Sequence, residues 1–208
     1  MRAFSCLACF FLGVSFGASS LAQGVDEEGS DFSHQTTPTC ELIGLMATPP
    51  TGWFSVPMVD LPAGMSGCQM IRTAQDETPV GIIRLSASDT GEHSPGENSR
   101  NRLVAIEMEV LAAMGIQPRE PLWSREDVPL TDVHGVGFSN GQAVGLSAVI
   151  EGSGLPQEVH ILAFHGPSTQ YALLLITPPS ANEPEIHSRN VSDFGKLIQG
   201  LQAVSIDD

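Results

Sequence analysis

Apolar and polar positions alternate along the chain in a way that divides it into strands, a helix, more strands and a closing helix. Cys40 to Met46 is a short apolar run closed by Pro49-Pro50-Thr51-Gly52. Trp53 to Leu61 alternates loosely, and Pro57 inside it marks an edge or a bulge, because proline has no N–H to donate to a ladder. Cys68 to Thr73 and Val80 to Ala87 read as better strands, joined by the polar turn Gln75-Asp76-Glu77-Thr78-Pro79. Residues 88 to 98 have the composition of a surface loop.

The period then lengthens. Leu103, Ile106, Val110, Leu111 and Met114 recur at helical spacing, with Ser99 to cap the start, Gly115 to end the helix and Pro118 beyond. Glu107 and Glu109 lie off that stripe and are expected in solvent. Residues 119 to 129, rich in proline and charge, read as a connector with Trp123 packed over the core. Three or four strands follow, the last two being Val159 to His165 and Tyr171 to Thr177. Tyr171 to Ile176 is continuously apolar, which predicts a central strand buried on both faces. After Pro178-Pro179, Val191, Phe194, Leu197, Ile198 and Leu201 predict a closing helix. This order implies an α+β domain: a mainly antiparallel sheet with two main helices packed on it.

One stretch carries two readings. Gly137-Phe138-Ser139-Asn140-Gly141 fits the G-x-S-x-G elbow of serine hydrolases, while Asn140-Gly141 signals a two-residue hairpin turn. The hairpin reading pairs Val144 with Gly137, Leu146 with Gly135, Ala148 with Val133 and Ile150 with Thr131. The elbow needs a helix from about Gly141, where Gly145 and three β-branched residues disfavour one. It also needs an acid and then a histidine downstream. Only Glu151, Glu158, Glu183 or Glu185 with His160, His165 or His187 remain for those roles. The hairpin is the expectation, and no catalytic residue is assigned; a secreted serine esterase using Ser139 is the alternative.

The N-terminus changes the picture of compartment. Arg2, an apolar stretch from about Leu7 to Gly17 and the small residues Ser20-Leu21-Ala22 have the form of a secretory signal cleaved near Ala22. Residues 1–22 are therefore expected to leave, 23–38 to form a flexible acidic leader, and 39–208 to fold as one domain. The apolar stretch is too short to span a bilayer, so no membrane insertion is expected after cleavage. Cys40 and Cys68 survive cleavage and, in the oxidising periplasm or outside the cell, are expected to pair.

Charge narrows the partners. The formal net charge is −15, and Lys196 is the only lysine. Such a surface repels phosphate, so no nucleic-acid partner is expected, and it would attract a basic protein or divalent cations. No cofactor or metal is expected. Met65, Cys68 and Met70 could serve copper(I) only if Cys68 were reduced. His160 and His165 lie five apart on a strand, on opposite faces, and Glu183, Glu185 and His187 read as surface charge. Asn190-Val191-Ser192 fits the glycosylation sequon.

Three features together resemble the PsbP/Mog1-like α+β family. They are the early strand ending in Pro50-Thr51-Gly52-Trp53, antiparallel strands interrupted by one helix, and the closing helix with Phe194-Gly195-Lys196-Leu197-Ile198. The resemblance covers most of the mature chain as an order of elements. It implies an adaptor, chaperone-like module or assembly factor without catalytic residues. The expectation is an exported, non-enzymatic binding protein (an assembly factor, inhibitor or immunity-like partner), with metal handling in the periplasm as a further alternative.

Overall fold

A computed structural model describes residues 39–58, 61, 64–89, 97–130, 141–166 and 168–204. The signal segment, the leader and Ser139-Asn140 lie outside the described residues. The element order is β1 (Cys40–Leu42), β2 (Leu45–Ala47), β3 (Phe54–Pro57), β4 (Met65–Thr73), β5 (Pro79–Asp89), α1 (Glu97–Ala113), β6 (Ile116–Val128), β7 (Gly141–Ile150), β8 (Pro156–His165), β9 (Thr169–Thr177), α2 (Pro184–Gln199) and β10 (Gln202–Ala203). A seven-stranded sheet runs β3-β4-β5-β9-β8-β7-β6, and β1-β2-β10 form a small second sheet. Every paired strand in both is antiparallel. This is the α+β class that the sequence predicts.

The continuous apolar run of β9 has a simple cause. Its side chains point alternately to two cores. Tyr171, Leu173 and Leu175 join Phe194, Leu197 and Leu201 of the α2 side, while Leu174 and Ile176 join Leu111 of α1 on the other face. All nine residues of the strand are buried. Both helices therefore form where their stripes meet this sheet. Helix α1 ends as expected, with Gly115 at φ +71° donating its N–H to Ala112 O at 2.9 Å. Helix α2 opens on Pro184 and carries Glu185 in its first turn and Lys196 in its last, each suited to the helix dipole.

A disulfide joins Cys40 of β1 to Cys68 of β4, with Cα atoms 5.9 Å apart, and so ties the small sheet to the large one. Tyr171 Oη donates to Ile43 O at 2.8 Å, and Ser66 Oγ accepts from Ile43 N at 2.9 Å, completing the junction.

Three expectations are corrected. The supposed connector at 119–129 is most of β6, and it pairs with β7: Ile116 faces Ile150, Pro118 faces Ala148, Pro121 faces Leu146, and Val128 faces Gly141. The partners expected from a turn at Asn140-Gly141 are thus displaced. An edge strand tolerates prolines and charge because one side of its backbone is unpaired, so the apolar pattern of β6 is absent. Trp123, expected to pack over the core, lies against Gly145 of β7 and is 42 % exposed. Glu107 is not in solvent. It shares the inward stripe of α1 with Val104, Met108 and Leu111, and is buried because Ser86 and Arg84 of β5 meet it there.

Candidate functional site

The sheet is open at both ends, and its ends carry unusual side chains. Six large hydrophobic side chains are exposed among the described residues, and four of them (Phe54, Val56, Leu122, Trp123) sit on the edge strands β3 and β6. Phe54 faces Ile71 and Val56 faces Gln69 across the β3–β4 ladder. Two residues apart on a strand, Phe54 and Val56 share a face. Helix α1 packs chiefly against β6, β8 and β9, so among the described residues this end of the same face is left uncovered. Phe54 is 60 % exposed in consequence.

The other edge is built differently. The β6–β7 ladder shifts register between Pro118 and Pro121, between Pro121 and Trp123, and between Arg125 and Val128. Asp127, at φ +55°, lies within the last irregularity. Bulges and prolines of this kind block the addition of a further strand, so β6 offers side chains rather than backbone. The Trp123 indole covers Gly145, where an added Cβ would collide with it. The ring then lies 5.6 Å from the His160 imidazole.

Beside Trp123 the fold brings together Glu158 and His160 of β8 and His187 of α2. Burial holds the His160 pKa below the ordinary histidine value, with Glu158 opposing and His187 reinforcing the shift. The Glu158-Val159-His160 triplet carried the available signal, since residues i and i+2 of a strand share a face. The place of His187 depends on how α2 packs, which spacing alone does not show.

Other expected groups are not assembled. Residues 141–150 are extended, so the helix that an elbow requires after Ser139 is replaced by a strand. Cys68 is oxidised and Met70 is fully buried, which removes the copper(I) set of Met65, Cys68 and Met70. His187 turns inward while Glu183 and Glu185 stay exposed, so those three do not form a cluster. Asn190 is fully buried, donating to Val80 O at 2.7 Å and Thr177 Oγ1 at 3.1 Å, so its amide is closed to glycosylation.

No protein-family model matches the sequence, and comparison with curated proteins finds no relative. Among solved structures, the chain is similar to cyanobacterial PsbP (CyanoP) from Synechocystis. Sequence identity is 12 %, the match covers 77 % of this chain and 87 % of that one, and the TM-score is 0.49. It is also similar to the Ran-binding protein Mog1p of Saccharomyces cerevisiae at 11 % identity, covering 78 % of this chain and 91 % of that one with a TM-score of 0.46. Both proteins carry the names of the family that the order of elements resembles.

Proposed function

We propose that the protein is an exported accessory protein that acts by binding another protein, without catalysis of its own. One observation carries this reading: exposed apolar side chains are concentrated on the two edge strands, where a packed sheet has no internal use for them. Tryptophan and phenylalanine of this kind supply large contact area at low entropic cost, and such residues dominate the energy of protein interfaces. The signal-like N-terminus and the Cys40–Cys68 disulfide support an oxidising compartment, the periplasm or beyond it. The charge of −15 favours a partner with a basic surface.

Capture experiments at low and high salt test it. Mature protein beginning at Gln23 is immobilised and exposed to the periplasmic or secreted fraction of its own cells. Wild type should retain a discrete protein, and Phe54→Glu with Val56→Glu, or Trp123→Glu, should release it while circular dichroism shows each variant folded. High salt should weaken the charge contribution and leave the apolar one. Retention that is indifferent to both sets of substitutions contradicts the reading.

A further inference from the structure

The three side chains gathered beside Trp123 are arranged in a way that packing does not require. His160 Nε2 and His187 Nε2 lie 3.7 and 3.8 Å from the same carboxylate oxygen, Glu158 Oε2. All three atoms lie within 4.8 Å of one another. The two imidazole rings are 5.8 Å apart and inclined at 51°, so they converge on a point rather than stack.

Each group is held from behind. His187 Nδ1 lies 3.0 Å from Pro178 O. A carbonyl only accepts, so Nδ1 carries the proton and, in the neutral ring, Nε2 keeps its lone pair toward Glu158. Glu158 Oε1 accepts the Ser180 N–H at 3.3 Å, which turns Oε2 toward the histidines. His160 is packed between Trp123 and His187. Outer contacts of this kind, a carbonyl behind one imidazole and an amide behind a carboxylate, fix the ligands of metal sites.

A second observation is independent of the spacing. His160 is nine-tenths buried, and its Nε2 is a buried polar atom with no hydrogen-bond partner. Leaving such an atom unpaired costs on the order of 1–3 kcal/mol. Glu158 at 3.7 Å is too far to satisfy it and close enough to share a ligand with it.

We propose that Glu158, His160 and His187 bind one divalent transition-metal ion, with Zn²⁺ the best fit. Imidazole is a borderline donor suited to that ion, carboxylate oxygen also binds it, and a His₂Glu set is a known zinc shell with a fourth position open. Zinc–ligand bonds of about 2.0–2.1 Å put tetrahedral donors about 3.3 Å apart. The carboxylate–imidazole gaps therefore close by a few tenths of an ångström, within the reach of side-chain adjustment. The side chains of Glu158 and His187 each keep 16 % exposure, which leaves water a path to the fourth position.

The mature, disulfide-bonded protein is stripped with chelator and titrated with Zn²⁺ in a calorimeter. The expected result is one ion per chain, with affinity reduced at least a hundredfold in His160→Ala and His187→Ala and less in Glu158→Gln. A His34→Ala/His93→Ala variant should bind as wild type does, and millimolar Ca²⁺, which a diffuse acidic surface would hold, should not compete. In wild type alone, X-ray absorption of the zinc-loaded protein should show two imidazoles in the shell, so the proposal is decided even where a variant fails to fold. No binding, binding unchanged in the His160 and His187 variants, or a shell without imidazole would overturn it.

Discussion

At the scale of single residues, Glu107 shows how far burial overrides a helical pattern. Its carboxylate accepts the Ser86 hydroxyl at 2.6 Å and lies 3.8 Å from Arg84 Nε. Burial raises its pKa above the ordinary glutamate value, against the opposing pull of Ser86 and Arg84. A carboxyl group with a raised folded pKa contributes stability that is fully present below the unfolded pKa and is lost as pH rises through the folded one. Denaturant titration across the interval just above the ordinary glutamate range should therefore show wild type losing stability relative to Glu107→Gln as pH rises. Parallel curves would mean that Ser86 and Arg84 cancel the effect of burial, and wild type gaining stability as pH rises would mean that they outweigh it. The sequence places Glu107 off the apolar stripe, and nothing local corrects this. Its partners sit on β5, a chain segment that spacing along α1 does not reveal. The same holds for His187 beside Glu158 and His160.

At the scale of elements, α2 is docked on the sheet by a polar patch as well as by its apolar stripe. Arg72 Nη1 donates to Asn190 Oδ1 at 3.2 Å and to Asp193 Oδ2 at 3.1 Å, and Trp53 Nε1 donates to the same Asp193 oxygen at 3.2 Å. Asn190→Ala should cost about 2 kcal/mol in urea unfolding, because the Val80 carbonyl and Arg72 lose a buried partner. Gly81→Ala tests the same junction from below. An added Cβ would stand 2.7 Å from Asn190 Nδ2 and 2.8 Å from Trp53 Cη2, an overpacking that should cost about 1–3 kcal/mol. An unchanged midpoint for either variant would show that α2 docks by its apolar stripe alone. Both β9 and α2 are legible in the sequence because each buries what its pattern displays. Strand β6 is not, since an edge strand mostly exposed beyond Ile116 needs no alternation. The Asn140-Gly141 signal then draws the pairing to the wrong partner.

At the scale of the whole molecule, the disulfide and the open sheet edges divide stability from function. The bridge spans a sequence separation of 28, for which restriction of the unfolded chain gives about 3.5 kcal/mol. Reduction, or Cys40→Ala with Cys68→Ala, should lower the thermal midpoint without altering partner capture, because both cysteines lie in the core on the sheet face opposite Phe54 and Val56. Helix α2 and the small sheet cover one face, and α1 covers part of the other. Among the described residues, the uncovered end of that second face and the bulged strand β6 are the surfaces proposed above to meet a partner. Amide hydrogen exchange of the captured complex reads those surfaces directly. Binding should slow exchange along Phe54–Pro57 and around Leu122–Ser124, and slowing confined to other elements, with both edges exchanging as in the free protein, would contradict the account.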